Sequence, residues 1–243
     1  MAQASMLSQK RIQELALLQE KIGYTFKNPE LLNKALTHKS FVNENSQSLK
    51  DNERFEFLGD SVLDLIVSSY MVKTYPDFSE GTLSKIRAAV VNESCLAGLA
   101  RDIDLGQYLL LGKGEESSGG RQKSSLLANA YEAVVGAVYQ DSHLEAAMDI
   151  FLPVLQKEIS QYANTAQFRD YKSGLQEYTQ TEFNCIPHYK IVSEKGPDHA
   201  KEFEVVVVIQ QGIRGRGRGK SKKEAEQGAA RGALESFNRI TMN

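Results

Sequence analysis

The chain has 243 residues, 41% hydrophobic and 25% charged, an ordinary globular composition that suits one or two domains and excludes a fibrous or wholly disordered chain. Its two cysteines, Cys95 and Cys185, form no Cys-x-x-Cys pair or Cys/His cluster, which argues against a zinc site or disulfide framework and for a reducing compartment. The net charge of −2 is unevenly spread: residues 1–168 hold 16 basic and 21 acidic side chains, whereas residues 169–243 hold 13 and 10.

The N-terminus (MAQASMLSQKRIQELALLQEK) has no sustained apolar run, and no stretch of about 18 apolar residues follows, so neither secretion nor membrane spanning is expected and a cytoplasmic location is. From Gln9 to about Ser160 the chain reads as helices and short turns. Ile12, Leu15, Leu18 and Ile22 recur at helical spacing, and Asn28-Pro29 opens a second helix. Helices are expected over Glu53–Val72, closed by Tyr75-Pro76, and over Thr82–Arg101. A Gly/Ser-rich loop is expected over Leu111–Ser125, then an apolar helix over Leu126–Gln140. This half, residues 1–160, reads as all-α.

Residues 161–170 have the small, polar composition of a linker at their start. Residues 171–240 then read as a helix (Tyr171–Phe183), strands over His188–Ser193 and Lys201–Gln211, a third strand through the Arg-Gly stretch, and a helix over Ser221–Phe237. The order α-β-β-β-α implies a three-stranded antiparallel sheet with helices on one face, and the whole chain is classed α+β.

Glu53, Glu56, Asp60 and Asp64 fall within about an 80° arc of one helix face, with Leu58, Val62, Leu65 and Ile66 expected on the core side. Like charges four apart repel, and Arg54 is the one interleaved cation. The stripe suits a hard divalent cation such as magnesium, and equally a solvated acidic face. In the apolar segment Leu126–Tyr139 the strongly polar side chains are Asn129 and Glu132, three apart on one face. A carboxyl in such a helix is costly to bury unless paired or metal-bound. The two helices together would make a metal site able to activate water against a phosphodiester; spacing does not establish that they meet.

Between Gln211 and Lys223 stand six basic residues (Arg214, Arg216, Arg218, Lys220, Lys222, Lys223) and no acid, a run that suits a polyanion or a solvated loop.

The stretch Asn52–Leu63 (NERFEFLGDSVL) resembles the signature of the bacterial ribonuclease III family. Thr37-His38-Lys39-Ser40, Glu80-Gly81, Arg87-Ala88 and Asn129-x-x-Glu132 match further family blocks in order. The C-terminal part resembles the double-stranded RNA-binding domain, through Leu175-Gln176-Glu177, Gly196-Pro197-x-His199 and Gly219–Gln227 (GKSKKEAEQ). The resemblance implies an all-α endonuclease domain that, as a homodimer, hydrolyses duplex RNA with magnesium (or manganese) to 5′-phosphate and 3′-hydroxyl ends with short 3′ overhangs, in ribosomal and messenger RNA processing. It implies metal-associated acids at Glu56, Asp60 and Glu132, with Asp60 and Glu132 catalytic, and a dimer-interface role for Glu80. It assigns no role to Asp64, which reads as a solvated helix residue, and no nucleotide cofactor or membrane partner is expected.

Asn129 stands where the family usually has aspartate. An amide oxygen ligates a hard cation without adding charge. Two readings follow: an active enzyme with Asn129 as fourth ligand, or a catalytically impaired protein that still binds double-stranded RNA. For RNA reading, shape recognition needs two minor-groove contacts flanking one phosphate contact. Gln176 and Gln180 on the first helix, His199 in the loop between the first two strands, and Lys220, Lys222 and Lys223 at the start of the last helix are the residues expected to supply them, with Arg214, Arg216 and Arg218 extending the last.

Overall fold

The computed structural model describes residues 7–45, 50–164, 171–197 and 201–241. The chain divides into two compact units, one built from 1–76 and 83–162, the other from 77–82 and 163–243.

Helix α1 (Gln9–Ile22) starts where the Ser8 hydroxyl accepts the Arg11 amide proton and ends at left-handed Gly23 (φ 78°). Asn28 caps α2 (Pro29–Ala35), with Pro29 in the first turn. After α3 (Lys39–Asn45) comes α4 (Glu53–Thr74), 22 residues long. The single helix expected over Thr82–Arg101 is two, α5 (Glu80–Val90) and α6 (Glu93–Asp102). The break is local chemistry: Asn92 takes extended backbone (ψ 162°) and its side chain accepts the Cys95 amide proton at 2.9 Å, an N-cap inside an otherwise helical pattern. The segment expected to be a loop over Leu111–Ser125 contains a short helix, α7 (Lys113–Ser117), and a 3-10 turn over Gly120–Gln122. Arg121 Nη1 pins that region by donating to the carbonyls of Gly106, Gln107 and Leu109 at 2.9–3.0 Å.

Helix α8 (Ser124–Asp141) is the axis of the first unit. Ten of its residues are buried, as expected of a helix apolar on nearly all sides, and α2, α4 and α6 pack around it. Leu32, Leu63, Ile66, Leu96 and Leu127 are among the buried core residues. Helix α9 (Leu144–Ala163) closes the unit and runs three residues into the expected linker; 165–170 lie outside the described residues.

In the second unit, α10 (Tyr171–Phe183) precedes β1 (His188–Lys195), β2 (Glu202–Ile209), β3 (Gly212–Gly219) and α11 (Lys222–Thr241). The sheet is antiparallel in the order β1-β2-β3. Val205, Val207 and Ile209 pack with Leu175 of α10 and Ala225, Ala229, Ala233 and Phe237 of α11, so both helices cover one face of the sheet.

Candidate active site and nucleic-acid interface

Two glycines decide how α4 and α8 cross. A Cβ on Gly59 would overlap the backbone carbonyl of Glu132, and a Cβ on Gly136 would overlap that of Phe55. The helices therefore touch backbone to backbone, closer than ordinary side-chain packing permits. That contact sets Asp60, next to Gly59, beside the turn that carries Asn129 and Glu132, and Glu56 one turn earlier.

The electrostatics report the same neighbourhood. Burial pushes the Glu132 carboxyl up to about 7, and the charges of Asp60 and Glu56 push it the same way. Glu56 is also raised, first by burial and then by Glu53, against a hydrogen bond from the Asn129 side chain and the charge of Lys39. Asp60 is exposed, whereas Glu56, Asn129 and Glu132 are half-buried. Among the described residues no three His, Cys, Asp or Glu side chains converge closely enough to hold a metal ion. The donor chemistry fits a hard cation: two or three carboxylates and an amide oxygen, on two rigid helices, with one carboxyl raised by burial and then by the neighbouring acids.

Next to these acids a cavity of about 50 Å³ is lined by His38, Lys39, Asn52, Glu53, Glu56 and Asn129 over an apolar floor of Leu109, Leu111 and Leu126. Its wall is built from residues 37–40 laced to 110–112. The His38 amide donates to the Leu110 carbonyl and the Leu110 amide to that of Leu36; the Gly112 amide donates to Ser40 Oγ. His38 Nδ1 lies 2.8 Å from Ser40 Oγ, and burial lowers its pKa by disfavouring the charged ring. Lys39 Nζ pairs with Glu53 Oε1 at 3.1 Å.

Several expectations on α4 change. Asp64 is not a merely solvated acid: Arg87 of α5 pairs with it at 3.7 Å and donates to Ser68 Oγ at 3.1 Å. Lys39 and Arg87, from other elements, relieve the two ends of the acidic stripe at Glu53 and Asp64. Of the four residues expected on the core side, Val62 and Ile66 are buried, whereas Leu65 is 49% exposed and Leu58 half-buried; Phe55, Gly59, Leu63, Val67 and Met71 complete the buried side of α4. Glu80, the first residue of α5, is exposed. Lys39 was missed as a site residue because its pairing with Glu53 is tertiary; the Thr37–Ser40 block carried the signal without its chemistry.

In the second unit Gln176 and Gln180 are exposed one turn apart on α10. Ser221 is a cap, not the first helical residue. Its hydroxyl accepts the Glu224 amide proton (3.2 Å), which uses part of the helix N-terminus internally, and the Glu224 carboxylate accepts the amide proton of Lys220, the residue before the cap (2.8 Å). Lys220, Lys222 and Lys223 are exposed; Lys222 also pairs with Glu194 at 3.4 Å. His199 lies outside the described residues. The arginines do not extend this cluster. Arg214 stands over the Phe237 ring, 6.0 Å from its centroid, while Arg216 and Arg218 lie on the other face of the sheet, in register with Val206 and Glu204.

Comparison with known proteins covers nearly the whole chain. A ribonuclease-III-like family model matches residues 28–159, and a double-stranded RNA binding motif model matches 171–236. The chain is 46% identical to a Ribonuclease 3 of Borreliella burgdorferi over 236 residues, 97% of this chain and 96% of that one. It is 43% identical to a Ribonuclease 3 of Nitratiruptor sp. over 92% of this chain and 97% of that one. The solved nuclease domain of a ribonuclease III from Campylobacter jejuni, described as flexible in a region involved in dimer formation, aligns with a TM-score of 0.56 at 42% identity, covering 59% of this chain and 97% of that one.

Proposed function

The chain belongs to the ribonuclease III family of double-stranded-RNA endoribonucleases, and on that premise we propose that it is a magnesium-dependent homodimer that cuts duplex RNA in the cytoplasm, in ribosomal and messenger RNA processing. The observation that carries the active-enzyme reading is the Gly59/Gly136 crossing, which puts Glu56 and Asp60 on the same side of α8 as Glu132.

Glu56, Asp60, Glu132 and the Asn129 amide oxygen are the residues that would hold the ion. What magnesium, or manganese in its place, supplies when bound is Lewis acidity toward water and the scissile phosphate. The chain's own groups do the rest. The Glu132 carboxyl, raised to about 7, gives up its proton near neutrality to complete the anionic donor set. Asp60 and Glu132 border the reacting phosphate as the catalytic acids, and Asn129 orients Glu56 through its hydrogen bond. Lys39 offsets the charge of Glu53 at the cavity rim. A water oxygen attacks phosphorus, the bond to the 3′ oxygen breaks, and the products carry 5′-phosphate and 3′-hydroxyl ends with short 3′ overhangs.

In the second unit Gln176 and Gln180 would contact one minor groove, His199 a second, and Lys220, Lys222 and Lys223 the intervening phosphates. For the dimer, α4 offers an unburied apolar stripe of Phe57 (78% exposed), Leu65 and Val72 (62%), and Glu80 joins that interface.

The test is incubation with a long RNA duplex across a magnesium and manganese titration, scoring product ends. Cleavage to 5′-phosphate ends supports the reading; binding without cleavage at every metal concentration overturns it. A second reading, an impaired nuclease that still binds double-stranded RNA, rests on Asn129 itself, whose amide oxygen adds no negative charge to the donor set, and Asn129→Asp separates the two, because only an impaired protein gains cleavage from silence.

A further inference from the structure

The Arg-Gly alternation of β3 is a consequence of packing, and it leaves a charged face with no role in the reading above. A Cβ on Gly215 would overlap the Ala229 carbonyl oxygen, and one on Gly217 the Ala225 carbonyl oxygen, both on α11. The helix backbone lies directly on the strand, so every second residue there must be glycine. Side chains alternate across a sheet, and the residues between, Arg216 and Arg218, project from the opposite face. Register fixes their neighbours. Lys190, Val206 and Arg216 form one row across the three strands, and Ser193, Glu204 and Arg218 the next. Arg218 lies 3.4 Å from Glu204 with its side chain 78% exposed. Lys190 and Arg216 are exposed with no acid opposite them in their row, and Lys195 stands in register with Glu202 at the far end. Neither α10 nor α11 covers this face, since both pack on the Val205, Val207 and Ile209 side.

We infer that this sheet face, through Lys190, Arg216 and Arg218, binds the phosphate backbone of a second RNA helix, in addition to the one gripped on the helical side. The inference rests on the reading of this unit as a duplex RNA binder. The face suits a backbone better than a peptide. It lies across three adjacent strands, about 4.8 Å apart, and its cations come from the two outer ones. Two arginines two residues apart on β3 and a lysine across the sheet make a broad basic surface that tracks phosphates without reading bases. The RNA that satisfies both faces is branched, with two helical arms meeting near one domain.

The test uses the full chain in EDTA with two probes: a plain duplex of about 16 base pairs, the span of one such domain, and a three-way junction built on the same arm. Arg216→Gln with Arg218→Gln keeps a polar side chain with part of each aliphatic stem and removes both charges. We expect the double variant to bind the plain duplex as the unsubstituted chain does. On the junction it binds about tenfold more weakly, with a salt slope shallower by about two. Arg216→Lys with Arg218→Lys restores junction binding. Equal weakening on both RNAs overturns the inference in favour of a general field. Unchanged binding to both, with loss of polyglutamate binding, overturns it in favour of an acidic protein partner. Lys222→Ala with Lys223→Ala serves as the separate check: if that variant binds both RNAs normally, it is the reading of the helical side that has failed.

Discussion

Glu132 brings a carboxyl with a pKa of about 7 into a neighbourhood already holding Asp60 and Glu56, and stability then depends on pH in a definite sense. The folded state holds this proton where the unfolded chain, with the ordinary value of 4.5, has lost it. The contribution is fully present below the unfolded value and is lost as pH rises through about 7. Glu132→Gln, which cannot ionise, is therefore expected to melt close to the unsubstituted chain at pH 4.5 and above it at pH 8 in EDTA, measured by scanning calorimetry, while abolishing cleavage. A Tm difference that does not change with pH would mean that the Glu132 carboxyl is not raised in the folded state. Asn129→Asp adds a carboxylate next to Glu56. It is expected to lower Tm at pH 8 in EDTA and to lower the magnesium concentration for half-maximal cleavage. The identity of these residues was legible in the sequence, since a Glu and an Asn in an otherwise apolar helix call for an explanation. The ion pairs of Glu53 with Lys39 and of Asp64 with Arg87 were not, because each joins residues from different elements.

At the scale of elements the decisive feature is the contact of α4 with α8. Alanine is normally better than glycine inside a helix by about 1 kcal/mol. At Gly59 or Gly136 the sign should reverse, because the added methyl meets a carbonyl of the facing helix. Overpacking of this kind costs about 1–3 kcal/mol, so Gly59→Ala and Gly136→Ala are expected to be less stable by about 2 kcal/mol in urea unfolding. A neutral or stabilising effect would show that the helices separate freely. Periodicity located α1, α2, α4, α8 and α10 well. It joined α5 to α6, because the apolar spacing continues across Asn92 and only the cap stops the helix. It also assigned Leu65 to the core: the buried arc of α4 is centred on the glycine that touches α8 and leaves Leu65 outside.

For the whole molecule, two expectations concern assembly and RNA. Phe57 is 78% exposed on α4, so Phe57→Asp should leave folding intact and shift sedimentation from dimer to monomer; an unchanged dimer would place the interface elsewhere. Lys222→Ala with Lys223→Ala should weaken binding to duplex RNA and make its salt dependence shallower by about two in log–log slope, read from filter binding at several salt concentrations. The Glu194 pairing of Lys222 makes Lys223 the larger of the two contributions.

The sequence by itself determined the α+β class, the helical half followed by the α-β-β-β-α unit, and the residue types able to hold a hard cation, because all of these follow from local periodicity, turn chemistry and motif spacing. Only the tertiary structure decided that α4 and α8 meet through Gly59 and Gly136, and that Arg216 and Arg218 turn away from Lys222 and Lys223. The reason in both cases is the same: a missing side chain leaves no periodic signal of its own, yet it sets how near two backbones approach and which face the neighbouring side chains must take.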